Sequence, residues 1–190
     1  VVLSSFDPVR REAARQTLDR LISDGRIHPG RIEEVFMKVM KEMEDDMRES
    51  AERVVFDLGI VDMNPELIKI LGRLKYRFSY GQNQLYHARE TAFLAGAIAA
   101  ELEADVEISK RAALLHDLGK AIDFERDGTH ASIGAETARR LGESREVVHA
   151  IEAHHEDVEM ETVEAVIVQV ADALSAARPG ARRETIDTYV

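Results

Sequence analysis

Apolar side chains recur at three- and four-residue steps along most of this chain, a period that commits it to helices buried against helices. The clearest run is Ile32, Val35, Phe36, Val39, Met43, Met47, Ala51, Val54 and Leu58, with Glu, Asp, Lys and Arg filling the positions between. It predicts one long amphipathic helix that starts near Arg31 and lasts some 27 residues. Met37, Met40, Met43 and Met47 on it read as adaptable packing against a neighbouring helix, although a stripe of this length also suits a dimer contact. After Gly59 the same period predicts helices over 65–76, 85–102, 108–117, 130–141, 144–156 and 162–177, with a turn at Ser79-Tyr80-Gly81-Gln82-Asn83. Residues 163–170 are rich in β-branched side chains, but the run continues through 171–177 in the manner of a buried helix.

Only the start departs from this period. Residues 1–4 read as a short strand, and Asp7-Pro8 as the cap and first turn of a helix over 9–22 that stops at Asp24-Gly25. No alternating strand follows residue 5, so the expected fold is all-α: a helical bundle preceded by a long amphipathic helix and a short strand-helix unit. The first residue is Val and no signal-peptide pattern follows, so the chain reads as an excised fragment of a longer protein.

Composition then narrows the chemistry. The 190 residues include no Cys, which excludes disulfides, thiolate metal sites and cysteine nucleophiles and leaves His and carboxylates for any metal. The longest charge-free stretch near the middle, 91–100, is ten residues, short of the roughly 20 that cross a bilayer. Formal net charge is −11, with four basic and eleven acidic side chains in 33–66 and fifteen against twenty-one in 67–190. That sign opposes indiscriminate binding to nucleic acid, so a polyanionic substrate would need local basic patches or bound metal.

His87, His116, His130, His154 and His155 fall at or near predicted helix ends, Asp117 follows His116, and Asp172 lies inside an apolar helix. Asp172 says most. With Gln169 and Ser175 it forms a narrow polar line on a helix that otherwise looks buried, and an unpaired carboxylate there costs roughly several kcal/mol. An Arg, a Lys or a metal ion must face it. His116 and Asp117 close the apolar run Ala112-Ala113-Leu114-Leu115; consecutive helical residues point about 100° apart, so both reach one ion only where the helix is ending, and Gly119 supplies that ending. His and carboxylate without thiolate suit manganese, magnesium, zinc or iron in sites that keep water ligands. His28 and His149 read as surface residues.

The order His87, His116-Asp117, His130, His154-His155, Asp172 resembles the HD superfamily of metal-dependent phosphohydrolases. Residues 79–83, Leu114-Leu115-His116-Asp117-Leu118-Gly119-Lys120 and above all Ala171-Asp172-Ala173-Leu174-Ser175-Ala176-Ala177-Arg178-Pro179-Gly180-Ala181-Arg182-Arg183 resemble the bacterial ribonuclease Y family within it. Ser5-Phe6-Asp7-Pro8 and Asp24-Gly25-Arg26-Ile27-His28-Pro29 match that family too, so the resemblance covers the chain. It implies a C-terminal remnant of an RNA-binding KH domain at 1–30, a helical connector at 31–64 and an HD domain at 65–190. The KH Gly-x-x-Gly loop would precede residue 1. It further implies a divalent-metal endoribonuclease that cuts single-stranded mRNA and starts its decay. The expected form is a homodimer in the cytoplasm, held at the inner face of the bacterial membrane by segments outside this chain, with RNA-degradation partners and no DNA substrate.

By matching positions, one ion falls to His87, His116, Asp117 and Asp172, and a second to His130, His154 and His155, with Asp117 bridging. Water activated between the two would attack phosphorus. Asp117 and Lys120 are the expected catalytic residues, and Lys120, Arg178, Arg182 and Arg183 the expected phosphate holders. Two other functions compete. A phosphodiesterase of cyclic dinucleotides shares the His series, but Glu156-Asp157-Val158-Glu159-Met160 follows the paired His where that class has Gly-Tyr-Pro. An assembly module with an idle site is the other.

Overall fold

A computed structural model describes residues 2–181. Among the described residues eight helices carry the fold: α1 (Pro8–Asp24), α2 (Pro29–Asp57), α3 (Pro65–Arg73), α4 (Gln84–Glu101), α5 (Val106–Leu115), α6 (His130–Arg140), α7 (Arg145–Ala153) and α8 (Val163–Ala177). Short 3-10 turns at Leu74–Tyr76, Leu118–Ala121 and Asp123–Glu125 link them. The helix starts are written locally. Asp7, Asn64, Asn83, Asp105, Thr129, Ser144 and Thr162 each accept a backbone N–H of the first turn, and Pro8, Pro29 and Pro65 occupy first-turn positions where no N–H is needed.

Two expectations change. Residues 2–5 form no strand, because no second strand lies beside them among the described residues to take their N–H and C=O groups. The turn at 79–83 closes a minimal antiparallel hairpin instead, β1 (Phe78–Ser79) on β2 (Gln82–Asn83), with Tyr80 at φ 52°. Two residues per strand are too few to show alternation in sequence.

α2, 29 residues and so about 44 Å long, is the spine. As far as Met47 it buries Val35, Val39, Met43 and Met47 against Val9, Ala13 and Leu21 of α1. Its second half turns Ala51, Val54 and Val55 into the main core, which α3 to α8 complete. Met43 and Met47 are therefore covered inside the chain, while Met37 is exposed and Met40 partly buried. α3 crosses α2 closely: a Cβ on Gly72 would lie 2.5 Å from the Met47 carbonyl oxygen. In the main core, α4 presents the fully buried ridge Ala88, Ala92, Ala95 and Ala99, small enough for α5 and α8 to pack near its backbone. Among the described residues no helix is long and apolar enough to cross a membrane.

Candidate metal centre

Each side chain of the His-Asp set arrives from a helix end, apart from Asp172. Asn83 caps α4 by accepting from Leu85 and Tyr86, which starts the helix so that His87 lies in its opening turns. α5 ends at Leu115; His116 keeps helical angles (φ −55°, ψ −40°) while Asp117 has left them (φ −97°, ψ 13°). The helix thus stops where two adjacent side chains must reach one place. Gly119 then lets the 3-10 turn run beneath the start of α6: a Cβ there would meet the His130 carbonyl oxygen at 2.0 Å, closer than any side chain allows. His130 opens α6, and His154 directly follows the last residue of α7. Asp172 points inward from the middle of α8.

Asp117 is the pivot. Its Oδ2 lies 3.3 Å from His116 Nε2, 3.6 Å from His87 Nε2 and 2.6 Å from Lys120 Nζ. Its Oδ1 lies 3.3 Å from His130 Nε2 and 4.0 Å from His154 Nε2. Asp172 Oδ1 closes the first side at 2.9 Å from His87 Nε2 and 3.7 Å from His116 Nε2. His155 closes the second, its Nε2 3.0 Å from that of His130. Three groups bring one donor atom per residue within 4.8 Å of one another: His87, His116 and Asp172; His130, His154 and His155; and His116, Asp117 and His154. Asp172 is thus faced by a pair of imidazoles rather than by Arg or Lys among the described residues.

These imidazoles are oriented for a cation. His116 Nδ1 donates to the Ala113 carbonyl at 2.7 Å and His154 Nδ1 to that of Ile151 at 2.6 Å. Both Nε2 atoms therefore face inward, and neither has a hydrogen-bond partner among the described residues; nor does Asp117 Oδ1. Buried polar atoms without partners are rare and costly. Bound divalent cations would satisfy these atoms, and His-carboxylate donors without thiolate suit such ions.

Electrostatics point the same way. Burial favours a neutral Asp117, yet the His116 ring and the Lys120 ammonium outweigh it and hold the carboxyl well below its usual range. Burial likewise opposes ionised Asp172, and the hydrogen bond to His87 with the nearby His116 charge overcomes it. Burial would lower His116, but Asp117, Asp172 and the Ala113 carbonyl raise it, so this pocket of carboxylates draws in positive charge. His154 and His130 differ: burial pushes them down to about 3 and about 4, leaving neutral imidazoles with a lone pair to give.

Seven expected ligands thus meet in one place. Lys120 adjoins them, its Nζ also donating to Gln84 Oε1 at 3.2 Å. Arg178 lies at the end of α8, its Nε donating to Glu90 Oε1 at 2.5 Å. Arg182 and Arg183 fall outside the described residues. His28 caps α2 by accepting from the Arg31 N–H, and His149 accepts from the Glu161 N–H. Sequence reasoning missed Ser175, Glu90 and Thr91 around His87; the only sign was the polar line that Ser175 shares with Asp172.

Residues 85–177 match the HD domain family. Over all 190 residues the chain is 60% identical to Ribonuclease Y of Syntrophomonas wolfei subsp. wolfei, 60% to Ribonuclease Y of Desulforudis audaxviator and 57% to that of Clostridium perfringens. It covers 37% of the length of each of these relatives, so it spans little more than a third of them. No solved structure matches it. With an HD domain at residues 85–177 and this identity from end to end, the chain belongs to the Ribonuclease Y family.

Proposed function

We propose that this chain is the hydrolytic part of a divalent-metal endoribonuclease that cuts phosphodiester bonds in single-stranded RNA and so begins mRNA decay. The observation that carries this is Asp117, whose two oxygens face separate imidazole groups while His116 Nε2 and His154 Nε2 make no hydrogen bond among the described residues. His87, His116 and Asp172 would hold one cation and His130, His154 and His155 a second, with Asp117 adjoining both groups. Bound there, such ions polarise a phosphate and lower the pKa of water. The protein's own part is to orient and to supply charge. The carbonyls of Ala113 and Ile151 fix two rings, and Lys120 beside Asp117 takes a phosphate oxygen when substrate enters. Arg178, Arg182 and Arg183 hold neighbouring phosphates along the strand. α1 and the start of α2, which pack on each other through their own apolar cluster, are the close of an RNA-binding domain leading into the connector.

The test is turnover of a single-stranded RNA beside turnover of cyclic dinucleotides, by the parent chain and by Asp117→Asn. RNA cleavage with internal cut sites, lost in Asp117→Asn while helicity is kept, is the expected result. Cleavage of the cyclic dinucleotides alone, or equal RNA cleavage by both proteins, overturns the proposal.

A further inference from the structure

Two of the inward-facing rings, His116 and His154, are fixed by backbone carbonyls, which no substitution removes. His87 is held differently. Its Nδ1 lies 3.0 Å from Ser175 Oγ on α8, and Ser175 Oγ donates at 2.6 Å to Glu90 Oε2, one turn along α4 from His87 itself. The other oxygen of Glu90 accepts from Arg178 Nε. Thr91 Oγ1 is spent on the His87 backbone carbonyl at 2.9 Å and stands 3.5 Å from Nδ1.

Proton counting sets the direction of this chain. A carboxylate only accepts, so the one hydroxyl proton of Ser175 must go to Glu90. Ser175 has none left for the ring, so it accepts, and Nδ1 of His87 must carry a hydrogen. Nε2, which faces Asp172 and Asp117, is then the ring nitrogen free to exchange a proton for a cation. Ser175 is fully buried, so water does not substitute for it.

We propose that Glu90 and Ser175 are positioning residues that fix the Nδ1–H tautomer of His87 and thereby tune cation affinity at the His87-His116-Asp172 side alone. The inference rests on the metal-centre reading above. Outer partners of ligating imidazoles typically govern metal affinity by about 10- to 100-fold. Arg178 makes the prediction sharper. In Glu90→Gln the amide oxygen stays on Arg178 and the amide NH2 faces Ser175, so Ser175 is released to donate to Nδ1. The hydrogen bonds reverse, and His87 switches to the Nε2–H form, with its proton on the nitrogen that should bind the ion.

The experiment has two readouts. Imidazole nitrogen-15 shifts of the metal-free protein report the His87 tautomer without any metal. The parent should show a hydrogen on Nδ1, and Glu90→Gln should show Nδ1 without one and the hydrogen on Nε2 alone. Manganese titration of the parent, Glu90→Gln and Ser175→Ala should then show one class of site weakened by about 10- to 100-fold in both variants and the other unchanged. Ser175→Ala leaves the fold with one oxygen fewer, and Glu90→Gln is isosteric at a partly exposed position, so circular dichroism should match the parent. Unchanged shifts and unchanged affinities in both variants overturn the proposal. A parent that binds no manganese overturns the metal-centre reading instead, and the tautomer measurement still tests the relay.

Discussion

His130 and His154 carry an imprint that can be measured without substrate. Burial foremost holds their pKa values at about 4 and about 3, against 6.5 for a free imidazole. The unfolded chain therefore binds more protons than the folded one once pH drops below about 6.5, so their contribution to stability is present above that value and is lost as pH falls toward about 4. His116, raised by its carboxylates, acts with the opposite sign, so the comparison must isolate one group. Melting temperature of metal-free protein between about pH 7.5 and about 4 should fall less in His130→Gln than in the parent. Parallel curves would contradict the depressed imidazole. At this scale the sequence told part of the story: Asp172 in an apolar helix demanded a partner, but where Arg, Lys or a metal ion was expected two imidazoles face it. It did not tell of Glu90, because one Glu among many exposed acids looks the same until its partner on another helix is known.

At the scale of elements, the site depends on helix ends that are stopped in the right place. Gly119 is the tightest of these, since the 3-10 turn of Leu118–Ala121 lies against the first turn of α6 with no room for a Cβ. Gly119→Ala must push α6 and its His130 away from Asp117. Overpacking of this kind costs about 1–3 kcal/mol or more, and thermal melting should show that loss together with weaker binding at the His130 side. A melting curve and metal affinity equal to the parent would contradict the close approach. Helix starts were legible because capping is local, as at Asp7-Pro8, Asn83 and Thr162. The hairpin of β1 and β2 was not, because it is made by pairing across a turn rather than by pattern. The methionines of α2 looked equally fit for another chain or for this one; α1 and α3 cover Met43 and Met47, a choice that depends on where distant helices dock.

At the scale of the molecule, an acidic chain gathers its proposed ligands from α4, α6, α8 and the segments following α5 and α7, so cation binding should tie these elements together. An ion that binds only the folded form adds about 2.7 kcal/mol when present at 100 times its dissociation constant. Melting temperature should rise with added manganese and fall after chelation, and the rise should vanish in Asp117→Asn. A carboxamide there keeps the shape but brings neither the charge nor two equivalent acceptor oxygens, so both sides of the centre weaken together, by more than the roughly 10- to 100-fold expected of outer partners. The most direct measurement is equilibrium dialysis of manganese against metal-free parent and Asp117→Asn, each with its helicity recorded. The account predicts a parent that retains metal and a folded variant that has lost affinity at every site; a parent without metal, or a variant that binds as the parent does, would contradict it.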